Sequence, residues 1–278
     1  MAPPAVRLLA GRLGSFMFPT LWKNRELIVQ LTKRDVLQRY KGSFLGLLWS
    51  FITPLFMLAV YTFVFGTVFE TRWSTKVENK AEFALVLFCG LAAFNVFSET
   101  LSRAPGSILA NPSFIKRVVF PLEILPVTIF GSALVNGVIS LGMLLAANLV
   151  LMHSLHWTIV YLPLVLVPLL LFSVGIAWFL ASLGVYMRDI GQLVPVLVLA
   201  LMFMSPIFYP VSAVPEAFRS VFYFNPLCYV LEDARRVLLW GEAPNWLWLG
   251  IGSLLGFVTA LLGYAWFQKT RKGFADVI

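Results

Sequence analysis

Few side chains in this 278-residue chain have the chemistry of a catalyst, and those that do stand apart. Glu99 is nearly alone among carboxylates within an apolar run, 83–101, with Asn95 and Ser98 before it. A carboxylate at membrane depth is costly and faces a partner or water; so near the end of its run, Glu99 equally fits a side chain reaching back to the head groups. His153 and His156 have a metal-compatible spacing, but no carboxylate or cysteine accompanies them, so they read as an outer turn. Cys89 and Cys228, far apart and in apolar surroundings, read as packing residues. Lys269-Thr270 lacks the preceding glycines of a phosphate-binding loop, and there is neither a His-Glu-x-x-His pair nor a nucleophile elbow. One isolated carboxylate makes no proton relay. The residues describe a conduit that borrows its energy.

The elements that would position these groups are apolar. Hydrophobic residues make up 60% of the chain and charged ones 12%, with a net charge of +8; a soluble domain carries about 25% charge. The positive balance suits loops facing anionic lipid heads and implies no nucleic acid. The first and organising anchor is 44–69, without a charge, against the ~20 residues a span needs. Lys33, Arg34, Arg39 and Lys41 stop at its front edge. Further spans are expected at 83–101, 122–152, 158–185, 190–209 and 246–267. Asn24–Lys41 reads as an interfacial helix with Asn24 as its N-cap. Its apolar residues form no clean stripe: Val29, Val36 and Tyr40 share one face, Leu27 and Leu31 another. The stretch 211–245 is too charged to span and too apolar to float free. It suits two short re-entrant helices, 216–223 and 227–240, broken at Asn225-Pro226. The expected fold is therefore an all-α polytopic membrane protein. It has six transmembrane helices, an N-terminal amphipathic interfacial helix, and re-entrant short helices between spans five and six. It divides into a cytoplasmic N-terminal segment 1–43, a six-span transmembrane domain 44–267 and a cytoplasmic tail 268–278. Lys and Arg crowd the N-terminal segment, the loop with Arg103, Lys116 and Arg117, and the tail, placing both termini inside. Between spans two and three, Pro105, Gly106, Asn111, Pro112 and Pro121 leave room only for short helices at 107–110 and 113–119. Gly42-x-x-x-Gly46 and Gly252-x-x-x-Gly256 would permit close helix approach.

Three stretches carry a resemblance. They are Arg39-Tyr-Lys-Gly-Ser through Trp49 to Pro54; Asn111-Pro-Ser-Phe-Ile-Lys-Arg through Pro121-Leu-Glu123 to Pro126; and Arg188-Asp189, Ser205-Pro206-Ile-Phe-Tyr209, Val214-Pro215, Asn225-Pro226 and Arg235-Arg236. Together they resemble the permease subunits of type-2 ATP-binding-cassette exporters of bacterial polysaccharide: O antigen, capsule and teichoic acid. The resemblance implies a homodimer in the bacterial inner membrane, docked to two separate ATPase subunits. ATP and magnesium would sit on those partners, with no cofactor on this chain. It implies a coupling segment at Ala104, Pro105, Gly106, Ser107, Ile108, Leu109, Ala110, Asn111 and Pro112, with Lys116 and Arg117. It implies an outer gate around Glu216, Phe222, Tyr223, Asn225 and Pro226, and a channel lined by the first and fifth spans. A sliding sugar polymer needs aromatic faces and few tight polar sites. Trp49, Phe51, Phe56, Tyr61, Phe203, Phe208 and Tyr209 are the candidates; the same rings would equally face lipid or neighbouring helices. The alternatives are an exporter of a drug or small lipid, and an ion-driven carrier built on Glu99. A membrane glycosyltransferase is disfavoured by the missing acidic or metal site.

Overall fold

The computed structural model describes residues 17–68, 80–115, 120–153 and 155–277, and every regular element among them is helical. Helical turns over 17–23 precede α1, Arg25–Tyr40. Then come α2, Trp49–Phe63, α3, Lys80–Arg103, and α4, Ile124–Met152. They are followed by α5, Leu162–Tyr186, α6, Ile190–Phe203, and α7, Glu216–Phe224. Last are α8, Pro226–Leu238, and α9, Trp246–Thr270. With the turns that extend them, α3, α4, α5 and α9 are long and apolar enough to cross a membrane. α2 and α6 are apolar but have 15 and 14 residues. At 1.5 Å per residue each reaches only about 20 Å of a ~30 Å hydrocarbon core.

α3 is the centre. It touches α2, α4, α5, α6 and α8, and it is apolar almost all round, as a fully enclosed helix must be. Leu87, Phe94 and Phe97 belong to one core with Leu144, Val165, Leu169, Val198, Ile207 and Leu231. A second core, nearer the chain ends, joins Ile108, Leu125, Trp178, Tyr264, Phe267 and Phe274. α5 and α9 pack backbone to backbone: a side chain at Gly263 would run into the Gly175 carbonyl. The second glycine pair serves the same contact, since a Cβ at Gly256 would meet the Pro168 carbonyl at 3.1 Å. The first pair does not. Gly42 and Gly46 have positive φ (84° and 50°) and turn the chain between α1 and α2, so they form no helix seam.

Three local expectations are corrected. Asn24 caps nothing: the chain is already helical before it, and its amide donates back to the Thr20 carbonyl at 2.8 Å. The run 190–209 is helical only to Phe203, because Pro206 has no N–H and keeps Ser205 out of the helical region. The stretch 107–110 is a pair of turns, with Ala110 N bonded to the Gly106 carbonyl at 2.9 Å. The lack of a clean stripe on α1 has a cause. Leu27, Ile28, Leu31 and Val36 are half-buried, but Thr32 and Asp35 share that face, while Val29 is 65% exposed. The tail is docked: Phe274 is fully buried against Phe267 and Tyr186. The outer segment 69–79, Lys116, Arg117 and most of the N-terminal stretch lie outside the described residues.

Candidate functional site

Glu99 is not alone in space. Arg39 of α1 donates to its Oε1, Arg103 one turn on donates to the same oxygen at 3.2 Å, and Asn136 of α4 donates to its Oε2 at 3.0 Å. Arg103 also grips Asp35 of α1 at 2.7 and 2.9 Å, and Arg39 reaches the Ser132 hydroxyl at 3.3 Å. Burial pushes the Asp35 carboxyl up. The hydrogen bonds from Arg103 and Ser132 and the two guanidinium charges outweigh it and hold Asp35 below the usual carboxylate range. The network straps α1 across the ends of α3 and α4. Sequence reasoning isolated Glu99 because its partners lie 60 and 37 residues away.

Above the network lies a cleft of about 620 Å³ between α2, α3 and α4. Its walls carry Arg39, Glu99 and Arg103 at one end, Asn95, Ser98 and Asn136 along its length, and Trp49 and Tyr61 of α2. Of the channel candidates, Tyr61, Phe203 and Phe208 come together. Phe208 sits 5.1 Å from Tyr61 and 5.4 Å from Phe203, ring centre to ring centre. Phe65, not singled out from the sequence, stacks on Phe208 at 4.5 Å. Phe208 is completely covered and presents no face within the protomer. Tyr209 donates its hydroxyl to the Phe203 carbonyl and packs on Phe222. Phe51 and Phe56 point away from the bundle, 43% and 64% exposed, outside this cluster.

The expected gate forms one hairpin. α7 and α8 meet at Asn225-Pro226, where the Asn225 side-chain Oδ1 caps α8 by accepting from Leu227 N at 3.0 Å. Its amide donates to the Ser205 hydroxyl at 2.9 Å, tying the hairpin to the end of α6. Phe222 is buried, while Glu216 and Tyr223 are exposed.

The residue the sequence underrated is Arg235. It is fully buried on α8 and donates to the carbonyls of Val86 (3.1 Å), Pro206 (2.7 Å) and Ile207 (3.5 Å), with Glu232 at 3.7 Å. It thereby satisfies the Pro206 and Ile207 carbonyls, which the break of α6 leaves outside any helix. Gly90 on α3 leaves the space, since any Cβ there would strike the guanidinium. Its neighbours in the sequence, Asp233, Ala234 and Arg236, carried no sign of that burial.

At the opposite end, Ala104, Pro105, Ser107 and Ile108 of the expected coupling segment are buried, whereas Gly106, Ala110 and Pro112 are exposed and Leu109 and Asn111 are half-buried. Gly184 of α5 lets the Pro105 carbonyl approach. The segment returns to the bundle through Glu123. Its carbonyl accepts from the Trp178 indole at 2.8 Å, and its carboxylate holds Arg271 at 2.9 Å. No group of His, Cys, Asp and Glu able to hold a metal occurs among the described residues.

A bundle built around one enclosed helix, strapped at one end and broken at the other, accords with what the whole sequence matches. The model of the ABC-2 type transporter family covers residues 26–239. The chain belongs to that family. This ABC-2 chain is 26% identical over 255 residues to an O-antigen export system permease protein, RfbA, of Klebsiella pneumoniae, covering 91% of this chain and 95% of that one. It is 27% identical over 260 residues to RfbA of Myxococcus xanthus, covering 93% and 97%. It is 27% identical over 244 residues to the polysialic acid transport protein KpsM of Escherichia coli, covering 86% and 91%. These alignments cover most of each chain, so the ABC-2 chain resembles the permeases over their length and not in a motif alone.

Proposed function

We propose that the chain is the channel-forming permease subunit of an ATP-driven exporter that moves a lipid-linked polysaccharide, of O-antigen or capsule type, across the bacterial inner membrane. The observation that carries this reading is the end-to-end similarity to permeases named for O-antigen and polysialic acid export. The chain crosses six times. α2 gains length from the turns that flank it, Gly46–Leu48 and Val64–Val68. α6 is completed by the irregular 204–210. The basic segments place both termini in the cytoplasm, and α7 and α8 dip into the outer leaflet as a gate. Two copies pair around the path, and each docks an ATPase subunit that binds ATP and magnesium. The docking face is the exposed side of 104–112, with Gly106, Ala110 and Pro112 outward; Lys116 and Arg117, expected to belong to it, lie outside the described residues.

Pull-down of the tagged chain from its native membranes tests this. The expected result is a co-purifying ATPase at equal stoichiometry, and loss of surface polysaccharide when the chain's gene is deleted. A homodimer without ATPase, exporting polymer into vesicles on an ion gradient alone, would overturn it. Ala110→Glu tests the docking face: its side chain points out of the bundle, so the expected outcome is normal membrane insertion with polysaccharide export reduced about ten-fold or more, as loss of one well-packed contact implies.

A further inference from the structure

The cleft between α2, α3 and α4 holds polar groups that the fold does not use. Asn95 lies midway along α3, is exposed, and its amide makes no hydrogen bond to any described residue. Ser98, three residues on, lines the same wall. Asn136 gives one amide hydrogen to Glu99 and faces the same space. In a membrane bundle an amide without a partner costs free energy unless water or a ligand meets it. Across from these groups stand Trp49 and Tyr61, roughly 18 Å apart along α2 at 1.5 Å per residue. The far end opens on the aromatic cluster, because Tyr61 contacts Phe208.

We propose that this cleft is a sugar-binding groove inside each protomer, holding an uncharged stretch of polymer on its way to the aromatic cluster. Ring C–H faces lie on Trp49 and Tyr61, and hydroxyls pair with Asn95, Ser98 and Asn136. The charges at the entrance argue for a neutral ligand: Arg39 and Arg103 are already matched by Glu99 and Asp35, leaving no net charge for a phosphate. The amides argue against a lipid chain, which would leave them unpaired. Amide and hydroxyl partners on one wall and aromatic faces on the other match a ligand that has both surfaces. This inference rests on the export reading.

The test is cysteine accessibility in native membranes containing the full exporter, with buried Cys89 and Cys228 replaced by alanine. The probe is a membrane-impermeant methanethiosulfonate reagent, applied to inside-out vesicles carrying Asn95→Cys or Ser98→Cys, prepared from cells making polymer and from cells whose polymer synthesis is blocked. Both sites are expected to label readily without polymer and about ten-fold more slowly with it, as a sugar held by even one net hydrogen bond to the wall implies. Lys272→Cys, exposed on the tail at the same end of the bundle as the strap, reports any general change. Equal labelling in the two vesicle preparations, or no labelling in either, overturns the groove. Asn95→Leu gives an independent readout: export should fall about ten-fold, and wild-type export would also overturn it. If the parent chain exports no polymer at all, the export reading itself has failed, which the surface-polysaccharide measurement separates from failure of the groove.

Discussion

The two ends of the bundle handle charge in opposite ways. At the α1 end, Asp35, Arg39, Glu99 and Arg103 pair with one another through side chains that keep between 23% and 36% of their surface. At the α8 end, one arginine with no exposed surface is held mainly by backbone carbonyls. The first arrangement joins elements by exchangeable pairs that water reaches, so α1 can move relative to α3. The second welds α3, α8 and the broken end of α6 into one body, since its acceptors belong to the backbone. The α7–α8 hairpin is thus hung from a rigid point, and the strap at the opposite end is the adjustable one.

The largest effect should come from the weld. Arg235→Ala strands the carbonyls of Pro206 and Ile207, removes the extra donor to Val86 and leaves a cavity, with an expected loss of about 3–5 kcal/mol. Thermal unfolding of the detergent-purified chain measures it. Arg235→Lys should not restore stability, because an ammonium lacks the fork that reaches three carbonyls at once. A lysine variant as stable as wild type would show that the charge, not the geometry, is what matters there.

Removing the hub of the strap should cost less. Glu99→Ala frees two guanidinium groups and the Asn136 amide, and partial solvent access softens the loss to about 2 kcal/mol. The Asp35–Arg103 pair is more exposed still. A double-mutant cycle on Asp35→Ala and Arg103→Ala should give a coupling near or below about 1 kcal/mol, shrinking further in high salt. Arg235 variants should show no such salt dependence. A salt-insensitive strap would erase the contrast between the two ends.

The smallest effect is pH dependence. Asp35 has a folded-state value below its unfolded one, so its contribution is present above the unfolded value and is lost as pH falls through the folded value. Stability should therefore decline towards acid, and Asp35→Asn should flatten that acid limb while leaving neutral and alkaline behaviour alone. An unchanged acid limb in the variant would remove Asp35 from the account.

Much of the bundle was legible as composition and breakage. Apolar runs marked where α2 to α6 and α9 form, and Asn225-Pro226 marked the corner between α7 and α8 within a residue. Ends were less legible. α6 stops at Phe203 because of a proline whose stranded carbonyl is met by Arg235 from 29 residues away. The candidate site divided in the same way. Residue type picked out Tyr61, Phe203 and Phe208, which do meet, but also Phe51 and Phe56, which do not join them; Phe65 was missed because an aromatic in an apolar run carries no sign of which way it faces. In 107–110, Ser107 and Ile108 look as ready for an outside partner as Ala110, yet they are buried.

The sequence by itself determined that this is a helical membrane chain, because hydrophobic length is a property of residues read in a row. Its ABC-2 character was also written in linear stretches. Only the tertiary structure decided which charges are spoken for. Glu99 reads as an isolated carboxylate until Arg39 and Asn136 arrive from other helices, and Arg235 reads as a surface charge until α3 and the end of α6 close around it. The physical reason is that a charge at membrane depth is settled by its partners, and helix packing brings those partners from residues far away in the chain.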